Sequence, residues 1–165
     1  MTHRLRATVI TVSDEVASGR DDDRGGPLAT ALLTEQGLDV DRRVVGDDDA
    51  QLERALVDAI ASGARFVMTC GGTGLGRHDL TTDVVARHLA FEIPGIAEEI
   101  RRRGSEHTPQ ALVSREVAGV ITPATGPRIL VLCAPGSRGG VRDAIGVVGP
   151  MLGYIVEQLD GKGHV

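Results

Sequence analysis

Aromatic residues are almost absent: among 165 residues there are only Phe66, Phe91 and Tyr154, and no tryptophan. A base-stacking platform for RNA or single-stranded DNA needs clustered rings, so that class is excluded. Lysine is scarcer still. Of 18 basic residues only Lys162 is not an arginine, and 23 acidic residues bring the net charge to −5. An acidic chain without basic blocks lacks the field that holds nucleic acid or an anionic membrane surface. The two cysteines, Cys70 and Cys133, are too few and too far apart for a disulfide scaffold or a zinc knuckle. No long uncharged apolar run occurs, and Thr2-His3-Arg4-Leu5-Arg6 leads into a strand-like segment rather than a signal peptide. These absences leave a cytoplasmic globular protein whose anion contacts fall to guanidinium and backbone N–H groups.

Glycine, by contrast, is plentiful: 22 of 165 residues, about twice the usual ~7%. With so few rings the core must be built from Val, Leu, Ile and Ala. The length suits one domain over residues 1–165, and no linker, repeat or low-complexity tract divides it. Arg6–Val12 is a β-branched run that predicts a buried strand, ending at Ser13-Asp14. A polar stretch with Asp21-Asp22-Asp23, read as a solvated loop, precedes a helix starting at Pro27 and stopped by Gly37. Leu38–Val45 reads as a second strand, followed by Gly46-Asp47-Asp48-Asp49 and a helix through Ser62 with Asp49 as its cap. Arg65–Thr69 is a third strand entering Gly71-Gly72-Thr73-Gly74-Leu75-Gly76. A helix from about Thr82 and another over Ile96–Arg103 follow. Val117–Thr122 and Arg128–Cys133 flank a Pro-Gly-rich turn, as in an antiparallel hairpin, and helices over Val141–Val148 and Met151–Leu159 finish the chain. Strands joined by helical crossovers pair in parallel. The expected fold is α/β: a three-layer α/β/α sandwich, mostly parallel, with an antiparallel edge hairpin.

In such sheets ligands bind beyond the carboxyl ends of the strands. The four expected parallel strands end in Ser13-Asp14, Gly46-Asp47, Cys70-Gly71-Gly72-Thr73-Gly74 and Pro135-Gly136-Ser137, which should therefore meet along one edge. The glycine loop can bring backbone amides close to an anion, or can serve only as a tight turn needing positive φ. It is not a P-loop, because Arg77-His78-Asp79 replaces the Gly-Lys-Ser/Thr segment. It is not a dinucleotide fingerprint either, because Arg77 occupies the third glycine position. That spacing removes a nicotinamide-dependent dehydrogenase. Asp47 and Asp79 follow strands two and three, so their carboxylates can share one pocket and, with phosphates, form the all-oxygen surroundings Mg²⁺ prefers. Either could instead be a helix cap, as could Asp83. Cys70 reads as a buried strand-end thiol rather than a nucleophile, for want of a partner histidine. His78 and Arg101-Arg102-Arg103 read as solvated.

Taken together, these segments resemble a known family. Thr11-Val12-Ser13-Asp14, Gly46-Asp47-Asp48, the run from Thr69 to Asp83, Ile93-Pro94-Gly95, Ala111-Leu112-Val113-Ser114-Arg115 and Ala134-Pro135-Gly136-Ser137 are similar, in order and spacing, to the molybdopterin-binding MogA/MoaB group of molybdenum cofactor biosynthesis. The resemblance implies a domain that binds the pterin dithiolene and, in catalytic members, adenylylates molybdopterin with Mg-ATP, the product passing to a molybdate-insertion protein. It implies that Asp47 and Asp79 are the two essential acids and would hold Mg²⁺. Substrate contacts are implied at Ser13, Gly71, Gly72, Thr73, Gly74, Asp83, Ser114, Arg115, Pro135, Gly136 and Ser137. A homotrimer is implied, with a hexamer as the alternative, and a carrier without efficient adenylylation is the alternative function. Two departures stand out: Arg138-Gly139-Gly140 follows Ser137 where the family has Pro-Lys, and Gly46 stands where proline often precedes the first acid.

Overall fold

A computed structural model describes residues 3–162. Six strands form one sheet in the order β2-β1-β3-β6-β5-β4, with β1 at Arg6–Val12, β2 at Asp39–Val45, β3 at Phe66–Cys70, β4 at Phe91–Glu92, β5 at Val117–Ile121 and β6 at Ile129–Ala134. The strands β2, β1, β3 and β6 are parallel, while β5 runs antiparallel to both β6 and β4. The three-layer reading and the edge hairpin are both borne out. The two-residue strand β4 is the one element of the sheet the sequence did not announce; its residues are exposed and too few to show an alternation.

The period of two in the strands sorts the side chains onto two faces. Val9, Phe66, Met68, Leu130, Leu132 and Ala118 join one core, against α2 (Gly25–Glu35), α5 (Pro94–Ser105), α6 (Arg138–Val148) and α7 (Leu152–Leu159). Ile10, Val12, Val67, Val131 and Cys133 join the other, against α3 (Asp49–Ala61) and α4 (Thr81–Ala86). Strands covered on both sides read as continuous apolar runs, which is why β1, β3 and β6 were legible. The edge strand β2 has no buried residue: Asp39, Asp41, Arg42 and Val44 are exposed and the other three half-buried.

Several local expectations change. Asp48, not Asp49, caps α3, its carboxylate accepting the Gln51 N–H at 2.9 Å; Asp49 instead pairs with Arg87 at 2.7 Å. Residues Asp14–Ala17 form a short helix, α1, capped by Ser13. Pro94 is the first residue of α5 rather than a break before it, since a first-turn proline forfeits no hydrogen bond.

Asp23 is not a solvated loop residue. Its carboxylate accepts from the Thr11 hydroxyl at 2.8 Å, from the Gly26 N–H at 2.9 Å and from Arg42 at 2.9 Å, and only 10% of the side chain is exposed. These bonds tie the start of α2 to β1 and β2. Replacing Asp23 by Ala leaves the part-buried Thr11 and Gly26 donors without their acceptor and frees Arg42 to solvent, at a cost of about 2–3 kcal/mol. Urea denaturation should show that loss; a change under ~0.5 kcal/mol, typical of a neutral surface site, would refute the tie.

Candidate functional site

The carboxyl ends of β2, β1, β3 and β6 meet at one edge, as the parallel pairing requires. There the ends of β1 and β2 are clasped together. The Asp47 carboxylate accepts the Asp14 N–H at 3.2 Å, and the Asp14 carboxylate accepts the Asp47 N–H at 2.8 Å. Burial pushes the Asp47 carboxyl above its usual range; the Asp14 N–H opposes this, while Asp14, Glu15 and Asp79 add like charge. Asp79 therefore shares an electrostatic field with Asp47, on the same side of the molecule.

The loop between β3 and α4 is built around glycine for two distinct reasons. Gly71 and Gly72 have φ of 109° and 68°, and a side chain on Gly71 would sit 2.4 Å from the Val12 carbonyl oxygen. Gly74 and Gly76 leave room for the Asp79 carboxylate, which folds back over the loop and accepts the Gly76 N–H at 2.9 Å. The tight turn needing positive φ is thus present, and the loop amide bonded to a negative group, that of Gly76, meets the chain's own Asp79. On the loop's other flank the Thr73 hydroxyl lies 3.1 Å from that of Ser114, and the Thr73 carbonyl accepts the Arg115 N–H at 2.7 Å.

Beside this flank opens a cavity of about 580 Å³. Thr73, Gly74, Ser114, Pro135 and Ser137 line it, so these five expected contacts are brought together. Asp47 and Asp79 are not part of its wall: Asp47 sits against Asp14 at the β1 and β2 ends, and Asp79 against Gly74 and Gly76 of the loop. Asp83 and Arg115 form an exposed ion pair at 2.6 Å, which holds the Asp83 carboxyl below its usual range. Ser13 and Ser137 are spent as caps, accepting the Val16 and Gly140 N–H groups at 3.3 and 3.1 Å. Gly136 packs against Gly71, 3.4 Å from the space a side chain would fill. Of the two arginines that follow Ser137, Arg142 lines the cavity.

Sequence reasoning misread Arg101 and missed Glu116. Arg101 is not simply solvated: it donates to the carbonyls of Ser114 and Glu116 at 3.4 and 3.0 Å, pinning the segment before β5. Glu116 is buried on the cavity wall with no partner for Oε2. A lone acid abutting the apolar run Val117–Ile121 was the available signal. Burial raises its pKa from an ordinary 4.5 to about 7, against the pull of Arg101 and the Ser114 hydroxyl. The folded chain therefore keeps this proton between pH 4.5 and 7 while the unfolded chain has released it, so this group's contribution to stability falls as pH rises through that window. Glu116→Gln should match the parent near pH 4 and exceed it by roughly 1–3 kcal/mol at pH 8. Equal melting curves at pH 8 would contradict this.

Cys70 and Cys133 are buried, with thiols pushed up to about 12 by desolvation. Neither is a nucleophile in this state. A disulfide reagent should titrate both only after denaturation; fast labelling of the native chain would show otherwise.

Among the described residues no three acidic, histidine or cysteine side chains gather closely enough to hold an ion alone. Asp47 and Asp79 each offer carboxylate oxygens of the kind Mg²⁺ takes, and Asp79 adds negative charge at Asp47.

Residues 8–154 match the family described as "Probable molybdopterin binding domain". The chain belongs to that family. It is 35% identical, over 85% of its length and 82% of the relative's, to the molybdopterin adenylyltransferase of Pyrococcus furiosus. It is 34% identical over 96% of its length to a molybdenum cofactor biosynthesis bifunctional protein of Chlorobaculum tepidum, and spans about half the length of that relative. The molybdopterin biosynthesis Mog protein of Mycobacterium ulcerans superposes with a TM-score of 0.85 at 34% identity, covering 95% of this chain and 99% of the other. The resemblance drawn from the motifs is borne out at the level of family and fold. No helix among the described residues is long and apolar enough to cross a membrane.

Proposed function

We propose that this family member adenylylates molybdopterin, with ATP and Mg²⁺, in molybdenum cofactor biosynthesis. The observation that carries this reading is the adjacency of an apolar cavity, a glycine loop and a pair of acids at one sheet edge. A terminal phosphate oxygen of molybdopterin attacks the α-phosphorus of ATP, the bond to the β-phosphate oxygen breaks, and pyrophosphate leaves. The cavity holds the pterin. Thr73, Ser114, Arg142 and the free amides at the start of α6 hold its phosphate. Asp47 and Asp79 would hold Mg²⁺, which when bound neutralises charge on the transferring phosphoryl group. The remaining acceleration comes from fixing the two phosphates in line. Release of pyrophosphate from Mg-ATP only when molybdopterin is supplied tests the reading.

The alternative, a carrier that binds molybdopterin without turnover, is favoured by Arg138-Gly139-Gly140 after Ser137. Saturable binding with no pyrophosphate would establish it. A single cytoplasmic domain over residues 1–165, a homotrimer or hexamer, and delivery of product to a molybdate-insertion protein belong to the same proposal. Exposed Leu112 and Val113 beside the cavity supply apolar surface for such contacts, and sedimentation distinguishes the two oligomers.

A further inference from the structure

Glu116 takes no part in the chemistry above, yet its position is costly. It is 6% exposed, and an unpartnered buried carboxyl oxygen forfeits its hydration, the more so when charged. It lies two residues before Ala118, whose side chain packs in the α5/α6 layer, so the strand period turns Glu116 toward that layer. Around it stand Ile100 and Gly104 of α5 and Asp143 of α6, all lining the same cavity. Arg101, the nearest cation, spends its hydrogen bonds on main-chain carbonyls. Nothing in the fold uses Oε2.

We propose that Glu116 reads the pyrimidine edge of the bound pterin, its two carboxylate oxygens accepting from the ring N3–H and the exocyclic 2-amino group. This rests on the reading of the cavity as a pterin pocket. The two donors lie side by side on the ring, as they do on a guanidinium, and match a carboxylate in the same bidentate way. Ile100 and Ala111 supply apolar wall for the flat ring, and Thr73, Ser114 and Arg142 lie along the same cavity to take a phosphate. The ligand is thereby oriented with its pyrimidine edge at Glu116 and its phosphate at the glycine loop.

The test is fluorescence titration of the full chain with 6-hydroxymethylpterin phosphate and with its lumazine counterpart, in which a 2-oxo group replaces the 2-amino group. The shared phosphate cancels the anion end from the comparison. The parent chain is expected to prefer the pterin by ~10-fold or more, because the 2-oxo group turns a lone pair toward the carboxylate. Glu116→Gln, offering one acceptor and one donor, should lose that preference or reverse it toward the lumazine. A variant that keeps the parental ratio overturns the role of Glu116 alone. A parent chain that binds neither compound overturns both this role and the pterin pocket. Discrimination without pyrophosphate release leaves Glu116 in place and removes only the adenylylation.

Discussion

Asp79→Asn should leave the chain folded and able to bind molybdopterin while lowering pyrophosphate release by ~10²-fold or more. The amide is the same size as the carboxylate, so it still fits over Gly74 and Gly76, and its oxygen still accepts the Gly76 N–H. On the proposed reading, what it loses is one charged ligand for a cation on the phosphates. Asp47→Asn should lose activity similarly but behave differently in stability. The Asp47 carboxyl is raised by burial and by Asp14, Glu15 and Asp79. Its ionised form is therefore strained at pH 7, and removing the charge should leave stability unchanged or slightly higher. Steady-state kinetics together with thermal melts separate the two effects. Wild-type turnover by either variant would remove that acid from the reaction.

The second large effect is Gly71→Ala, which should cost roughly 3 kcal/mol or more. At φ 109° the backbone lies where L residues are strained, by about 1–3 kcal/mol, and the new methyl would meet the Val12 carbonyl oxygen at 2.4 Å. That obstacle is main chain at the end of β1, paired on both sides, and cannot swing aside. Gly139→Ala is the control: it lies in α6 with nothing within 4 Å of the added carbon, and alanine suits a helix better, by up to ~1 kcal/mol. Denaturant midpoints should thus move in opposite directions. A tolerated Gly71→Ala would mean the loop is free to rearrange, and with it the placement of Asp79.

How far the sequence reached depended on the range of the forces involved. The apolar runs of β1, β3 and β6 and the glycines ending α2 and α3 act within a few residues, so the element order and the parallel core could be read directly. The shared edge followed, because parallel strands joined by helices must end on the same side. Asp23 was misread because its partners Thr11 and Arg42 are distant along the chain, and a run of three acids looks solvated until α2 is set down beside β1. The choice between Asp48 and Asp49 as cap of α3 turned on one residue of register, finer than spacing can resolve.

By itself the sequence determined the layers, the glycine turn and the family, since each is a property of local pattern and spacing. Only the tertiary structure decided that the acids sit outside the cavity that Thr73, Ser114 and Ser137 line. It alone placed Glu116 on that cavity's wall with a buried oxygen left unpartnered. Burial and hydrogen-bond satisfaction depend on what packs against a side chain from other elements, and no stretch of sequence carries that information alone.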